Sequence, residues 1–407
     1  MLDIKFIREN PNKVKEACKK KQVNVDVDKI LELDKKRRDF LQKIEGLRAQ
    51  KNKLGKEDIE KAKEIKSEIE ETEPLLKDIE KKYNELMSQV PNIPFEDVPV
   101  GKDDSENVVI KRVGKIPKFN FKPKDYMEIA EKLDLIDTKR AAKVAGTRFS
   151  YIKGDLVLLY FALVGFGFDI LTKEGFIPVI PPVMLKEEMA KGTGYFEASD
   201  RKEAYYIPDD KLFLVGTSEQ SLLAMHAGET LKEEDLPKRY VGFSTCFRRE
   251  AGSYGKDTKG ILRVHQFDKL EMVSFSKPED SIKEHHLFLS IEEKLMKSLK
   301  LPYQVVNICT GDLGRPAAAK YDIETFMIGE NKYRETHSTS NCTDFQARRL
   351  NIRYKNKDGK TSFVHTINGT VFSMRPLIAI IENYQQRDGT IKVPKVLQKY
   401  LGFKLIR

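Results

Sequence analysis

Between residues 28 and 90, apolar side chains recur every three or four positions. A first series runs Ile30, Leu33, Phe40, Ile44, Leu47 and Leu54, with Arg37 and Lys51 filling its two gaps. A second runs Ile65, Ile69, Thr72, Leu76, Ile79, Tyr83, Leu86 and Val90. Two such stripes around a turn at Gly55-Lys56 predict an antiparallel helical hairpin. At 1.5 Å per residue its helices would be roughly 40 Å and roughly 50 Å long. Two helices alone cannot enclose a globular core, so the pair reads as a projecting coiled-coil arm. Pro74 lies off the seam and predicts a local kink rather than a break. Upstream, residues 1–22 read as a short helical element whose second half opens at Asn10-Pro11. Pro91, Pro94 and Pro99, with Gly101 and Asp103-Asp104, mark the exit from the arm. The pattern divides the chain into an N-terminal domain, residues 1–105, and a second domain, residues 106–407.

The second domain changes period. Leu156 to Leu171 is apolar on nearly all sides and predicts a buried helix. Strand-like stretches follow at Lys238–Phe247, Ile261–Phe275, Tyr303–Cys309 and Thr361–Asn368. Hairpins and helices separate them, with no regular βαβ units. An α+β fold around an antiparallel β-sheet flanked by helices is therefore expected, not a doubly wound one. No internal repeat is visible.

Charge adds a partner to this picture. The 407 residues carry a net charge of +10, with 33% charged and 40% apolar residues. That apolar share suffices for a real core, and the basic excess favours a polyanion. Residues 28–56 hold ten Lys or Arg against five Asp or Glu, whereas residues 57–90 hold six against eleven. The two helices are thus complementary, and Lys35, Lys36, Arg37 and Arg38 form a basic run that suits phosphates. The same run also fits the solvated face of a coiled coil, or of one used only for oligomerisation. Four widely spaced cysteines, Cys18, Cys246, Cys309 and Cys342, form no CxxC pair, so neither a disulfide framework nor a structural zinc is expected. The N-terminal segment has no signal-peptide h-region, and no apolar run approaches the ~20 residues of a membrane span. A cytoplasmic protein without membrane contact is the expectation.

The chemistry concentrates in Cys246 to Phe275. Arg248, Arg249 and Glu250 precede a loop rich in Gly and Lys, and a returning segment carries Phe267 and Glu271. Two strands bearing Arg, Glu and an aromatic ring can cradle a nucleoside triphosphate. Arg offers a planar, permanently charged fork to phosphates, Phe a face for a purine, and a carboxylate an acceptor for an amine. A plain hairpin with solvated charges has a similar composition. Neither a Walker-A sequence nor GxGxxG occurs, so such a site would be no P-loop or dinucleotide fold. There is no HExxH, and the six histidines do not cluster at metal-ligand spacing. His285 and His286, side by side on a predicted helix, read as surface or packing residues.

The run CFRREAGSYGKDTKG followed by VHQFDKLEM resembles motif 2 of class II aminoacyl-tRNA synthetases, and the seryl-tRNA synthetase family in particular. Gly175-Phe176 through Pro181-Pro182 resembles motif 1, which forms the dimer interface. Thr370 to Gln385 resembles motif 3. The segment from Val215 to His226 is similar to the family's serine-recognition segment, and Tyr333 to Tyr354 to its metal and ATP strand. The resemblance covers nearly the whole chain, arm included.

It implies a homodimeric ligase that activates L-serine with ATP and transfers it to tRNA(Ser), with tRNA(Sec) a further acceptor. Arg248 and Arg375 would be the catalytic pair, on the α-phosphate and near the γ-phosphate. Glu250, Val264 and Phe267 would hold the adenine, and Glu335 and Ser338 would contact ATP and Mg2+. Serine would meet Thr217, Ser218, Glu219, Arg248, Glu271, Asn368 and Thr370. The basic run Lys35–Arg38 would meet tRNA. The chain departs from the family in having one residue fewer between Asn368-Gly369-Thr370 and Arg375, with Val371 and Phe372 in place of small residues. His337, between the implied metal ligands, is also unusual and receives no role. A ligase loading a carrier protein would lack the arm, and a non-catalytic paralogue would have lost the ATP residues.

Overall fold

The computed structural model describes residues 1–55, 57–195, 200–251 and 260–407. These residues form two compact units, Met1–Ile93 and Pro94–Arg407.

In the first unit, α1 (Ile4–Glu9) and α2 (Pro11–Lys20) precede α3 (Val27–Lys51) and α4 (Ile59–Gln89). Asp26 caps α3 by accepting from Lys29 N at 2.9 Å, satisfying a donor that the first turn would otherwise leave free. The expected seam is present. Ile30, Leu33, Ile44, Leu47, Ile65, Thr72 and Tyr83 are buried along it, together with Met87, which the period had not singled out. Cross-helix pairs follow the charge split: Arg37–Glu80 at 3.1 Å, Lys43–Glu68 at 2.7 Å and Arg48–Glu73 at 2.8 Å. Such exposed pairs contribute ~0–1 kcal/mol each, so they select the pairing more than they stabilise it. α4 runs through Pro74 without interruption.

In the second unit an eight-stranded sheet dominates. Its strands are β1 (Val108–Val113), β2 (Ile177–Val179), β3 (Lys238–Phe247), β4 (Gln266–Ser276), β5 (Tyr303–Asn307), β6 (Ala319–Met327), β7 (Lys332–Asn341) and β8 (His365–Phe372). They lie in the order β1-β5-β6-β7-β8-β4-β3-β2, antiparallel throughout except for β2 beside β3. The returning strand of the hairpin begins at Gln266, not at Ile261, because Ile261 to His265 form a turn. The Gly- and Lys-rich loop between the hairpin strands lies almost wholly outside the described residues. Residues 94–105 belong to this unit: Phe95 N donates to Ala318 O at 2.9 Å, and Thr310 N donates to Pro99 O at 2.8 Å.

Three longer helices, α5 (Asp155–Lys173), α7 (Ser281–Leu299) and α8 (Met374–Asn383), and a short one, α6 (Ser218–Ala224), complete the frame. α5 corrects two expectations. It is long and apolar enough to cross a membrane by length and composition, although half of it is buried inside the protein. It is also buried on one side only: Leu156, Leu159 and Leu163 are fully enclosed, while Leu158 is 50% and Phe161 56% exposed. The apolar run serves both a core and an outward face.

Candidate active site

The cradle is built by strand alternation. Successive side chains on a strand point to opposite faces, so Phe267, Lys269 and Glu271 share one face of β4, and Leu270 and Met272 enter the core on the other. Glu271 lies opposite Thr370 of β8, and Val273 opposite Asn368. Gly369 between them faces the core, where an added Cβ would meet Met272 Cε at 2.8 Å and Glu292 Oε1 at 3.1 Å, so a side chain there would have to displace its neighbours.

Glu335 and Ser338 illustrate what alternation alone misses. A spacing of three would place them on opposite faces of a regular strand. The register of β6 and β7 slips between Ile323 and Glu324, which leaves Thr336 as an extra residue. Both side chains consequently line the same cavity walls.

Two adjoining cavities open on this face. One, of about 320 Å³, is lined by Val264, Phe267, Thr370 and Arg375. The other, of about 540 Å³, is lined by Thr217, Glu219, Glu271 and Asn368. Arg248, Glu250, Arg263, Lys269, Glu335 and Ser338 line both and form the seam between them. The structure therefore brings together nearly every residue expected at the site. Ser218 is the exception: it is fully buried, its hydroxyl donates to Gly242 O at 3.3 Å, and it lines neither cavity. As the first residue of α6 it points inward, whereas Thr217 caps the helix by accepting from Glu219 N at 3.3 Å.

The larger cavity is acidic, and its key side chains Glu219, Glu271 and Asn368 are buried. Glu219 Oε1 accepts from Gln346 Nε2 at 2.9 Å and from Asn368 Nδ2 at 3.0 Å. Burial first, and then the neighbouring Glu271, push the Glu219 carboxyl up to about 7. Glu271 is also raised by burial, although Lys269, whose Nζ pairs with its Oε2, opposes the shift. Gln346, Lys269, Arg263 and Tyr195, which lines the larger cavity, escaped the motif reading. Only Lys269 left a signal, in its place midway between Phe267 and Glu271.

At the seam, Arg248 Nε donates to Gly216 O at 3.1 Å, and its guanidinium lies 5.1 Å from the centre of the Phe267 ring. Arg263 pairs with Glu250. Arg375 Nη1 donates to the Glu335 carboxylate at 2.9 Å and to its carbonyl at 3.0 Å. Burial raises the Glu335 carboxyl, but Arg375 and Lys320 outweigh it and hold the group at about 2. Two oxygens on one wall, one of them firmly ionised, fit a magnesium ion that keeps its remaining ligands for water and phosphate.

The altered segment before Arg375 is strand rather than loop. β8 continues to Phe372, and Val371 and Phe372 are both fully buried. They pack against Gly167 of α5, where an added Cβ would meet Val371 Cγ1 at 2.9 Å. His337 is also enclosed, its ring 5.9 Å from that of Phe372. Burial pushes its imidazole down to about 3, so it is a neutral core residue. His285 is likewise a packing residue, with Nε2 3.0 Å from Thr339 O.

Residues 1–94 match the model of the seryl-tRNA synthetase N-terminal domain, and residues 204–384 that of the class II tRNA synthetase core domain for G, H, P, S and T. The serine–tRNA ligase of Treponema denticola is 44% identical over the full length of both chains. The chain belongs to the seryl-tRNA synthetase family. Seryl-tRNA synthetase of Pyrococcus horikoshii, solved in complex with ATP, superimposes with a TM-score of 0.93 at 43% identity, covering 100% of this chain and 99% of that one. The cytoplasmic serine–tRNA ligase of Naegleria fowleri, solved with AMP, gives a TM-score of 0.89 at 35% identity over 100% of this chain and 99% of that one. Membership in this family agrees with the antiparallel sheet, the helical arm and the paired cavities.

Proposed function

We propose that the protein activates L-serine with ATP and transfers the seryl group to the 3′ end of tRNA(Ser), acting as a homodimer in the cytoplasm. The observation that carries this reading is the seam: an acidic, buried amino-acid cavity and a cationic phosphate cavity share Arg248, Glu335 and Ser338. In this reading the adenine takes the face of Phe267 from Arg248, which turns to the α-phosphate, with Val264 and Glu250 at the base. Arg375 holds the phosphates beyond. Glu335 and Ser338 would hold magnesium, which neutralises charge on the phosphates. Thr217, Glu219, Glu271, Asn368 and Thr370 orient serine, so its carboxylate faces the α-phosphorus across the seam. Positioning of the two reactants and cationic stabilisation of the developing charge supply the acceleration.

Dimerisation is supported by the outward faces of α5 and the segment after β2, where Phe161 is 56% and Ile180 85% exposed. The cytoplasmic setting is supported by four buried cysteines that form no disulfide.

Selection of serine is the property to test. Alanine lacks only the hydroxyl and would leave buried hydrogen-bonding groups unpaired, a strong filter. Pyrophosphate exchange should favour serine over alanine by about 10⁴-fold in kcat/KM. A preference below tenfold would assign the acidic cavity to another substrate.

A further inference from the structure

Lys269 is one of two cations at the seam, with Arg263, that no motif singled out. It stands on a sheet strand, whereas Arg248 and Arg263 flank the hairpin loop, and its side chain is only 13% exposed. It lines both cavities. Its Nζ pairs with Glu271, itself 1% exposed. Its charge also favours the ionised forms of Glu219, Glu292 and Glu335.

An amino-acid substrate brings an ammonium group. If Glu271 receives that ammonium, as the proposed function requires, two cations compete for one buried carboxylate. The substrate also brings a carboxylate, and ATP brings the α-phosphate; in the proposed function both meet at the seam, where Lys269 lines both cavities. We propose that Lys269 is a catalytic residue of the first half-reaction, released from Glu271 by the substrate ammonium and turned onto the junction of carboxylate and α-phosphate. Amino-acid recognition would thereby deliver a positive charge to the reacting atoms.

The step is balanced without proton transfer. A serine carboxylate oxygen forms a bond to the α-phosphorus while the bond from phosphorus to the bridging oxygen breaks. Pyrophosphate leaves with the electron pair. Lys269 remains an ammonium throughout and stabilises the charge gathered on the α-phosphoryl oxygens.

This inference rests on the proposed function, and serine-dependent pyrophosphate exchange by the full chain tests both separately. Lys269→Met should lose about 100-fold or more in kcat. KM for serine should stay unchanged or fall, because the competing cation is gone from Glu271. Lys269→Arg should restore at least part of the rate. Lys269→Gln still donates to Glu271 and fills the space; it should show the same loss of kcat, and it carries the test if the Met variant does not fold. Retained kcat in the neutral variants, or a raised KM with unchanged kcat, would overturn the role of Lys269 while leaving the enzyme's function intact. A wild-type chain that exchanges no pyrophosphate with serine would overturn the proposed function, and this inference with it.

Discussion

Glu292 of α7 is fully buried, on the core side of Gly369. Burial foremost, then Asp322 and Glu271, raise its carboxyl well above the ordinary glutamate range, so the folded chain holds that proton to a higher pH than the unfolded chain does. The unfolded chain releases that proton near pH 4.3. Above that pH the folded state binds more protons, and stability falls as pH rises, by at most about 1.4 kcal/mol per unit. Glu292→Gln removes this dependence. Urea unfolding at pH 5 and pH 8 should show the variant gaining on the wild type at the higher pH. An equal difference at both values would mean that Glu292 is ionised inside the protein. At this scale the sequence named residues by the roles that the resemblance carries, and it gave none to Lys269 or Gln346, although both lie within matching segments. Ser218 was expected beside Thr217, but the helical turn sends it inward to Gly242 O.

Among the elements, the arm, the hairpin strands and the long helices were legible because periodicity records which face is buried. Two features were not. The slip that leaves Thr336 extra in β7 depends on pairing with β6, a contact that no local pattern encodes. The one-sided burial of α5 depends on what packs there, not on its composition. The shortened segment before Arg375 is accommodated at this scale by Gly167, whose missing side chain makes room for Val371, Phe372 and Leu270. Gly167→Ala should therefore cost about 1–3 kcal/mol through overpacking. Combining it with Val371→Ala should recover part of that loss in urea unfolding, because the two sites share one contact. Full additivity would place the crowding elsewhere.

For the whole molecule, the arm is where tRNA contact is expected, and the structure divides its basic run. Arg37 pairs with Glu80 at 3.1 Å and Arg38 with Asp34 at 3.2 Å, so both also serve the unit itself. Lys36 reaches Glu32 at 2.7 Å but is half exposed, and Lys35 is exposed. Reversing Lys35 and Lys36 to Glu should weaken tRNA charging roughly tenfold at physiological salt and leave serine-dependent pyrophosphate exchange unchanged. Equal losses in both reactions would instead indicate damage to the fold.

One protein joins the two half-reactions. The most direct test is charging of a tRNA(Ser) transcript with labelled serine, ATP and magnesium. Acid-precipitable label should require every component and reach the 3′ end of the tRNA. Folded protein that makes seryl-adenylate yet leaves a competent transcript uncharged would contradict this joining of the half-reactions.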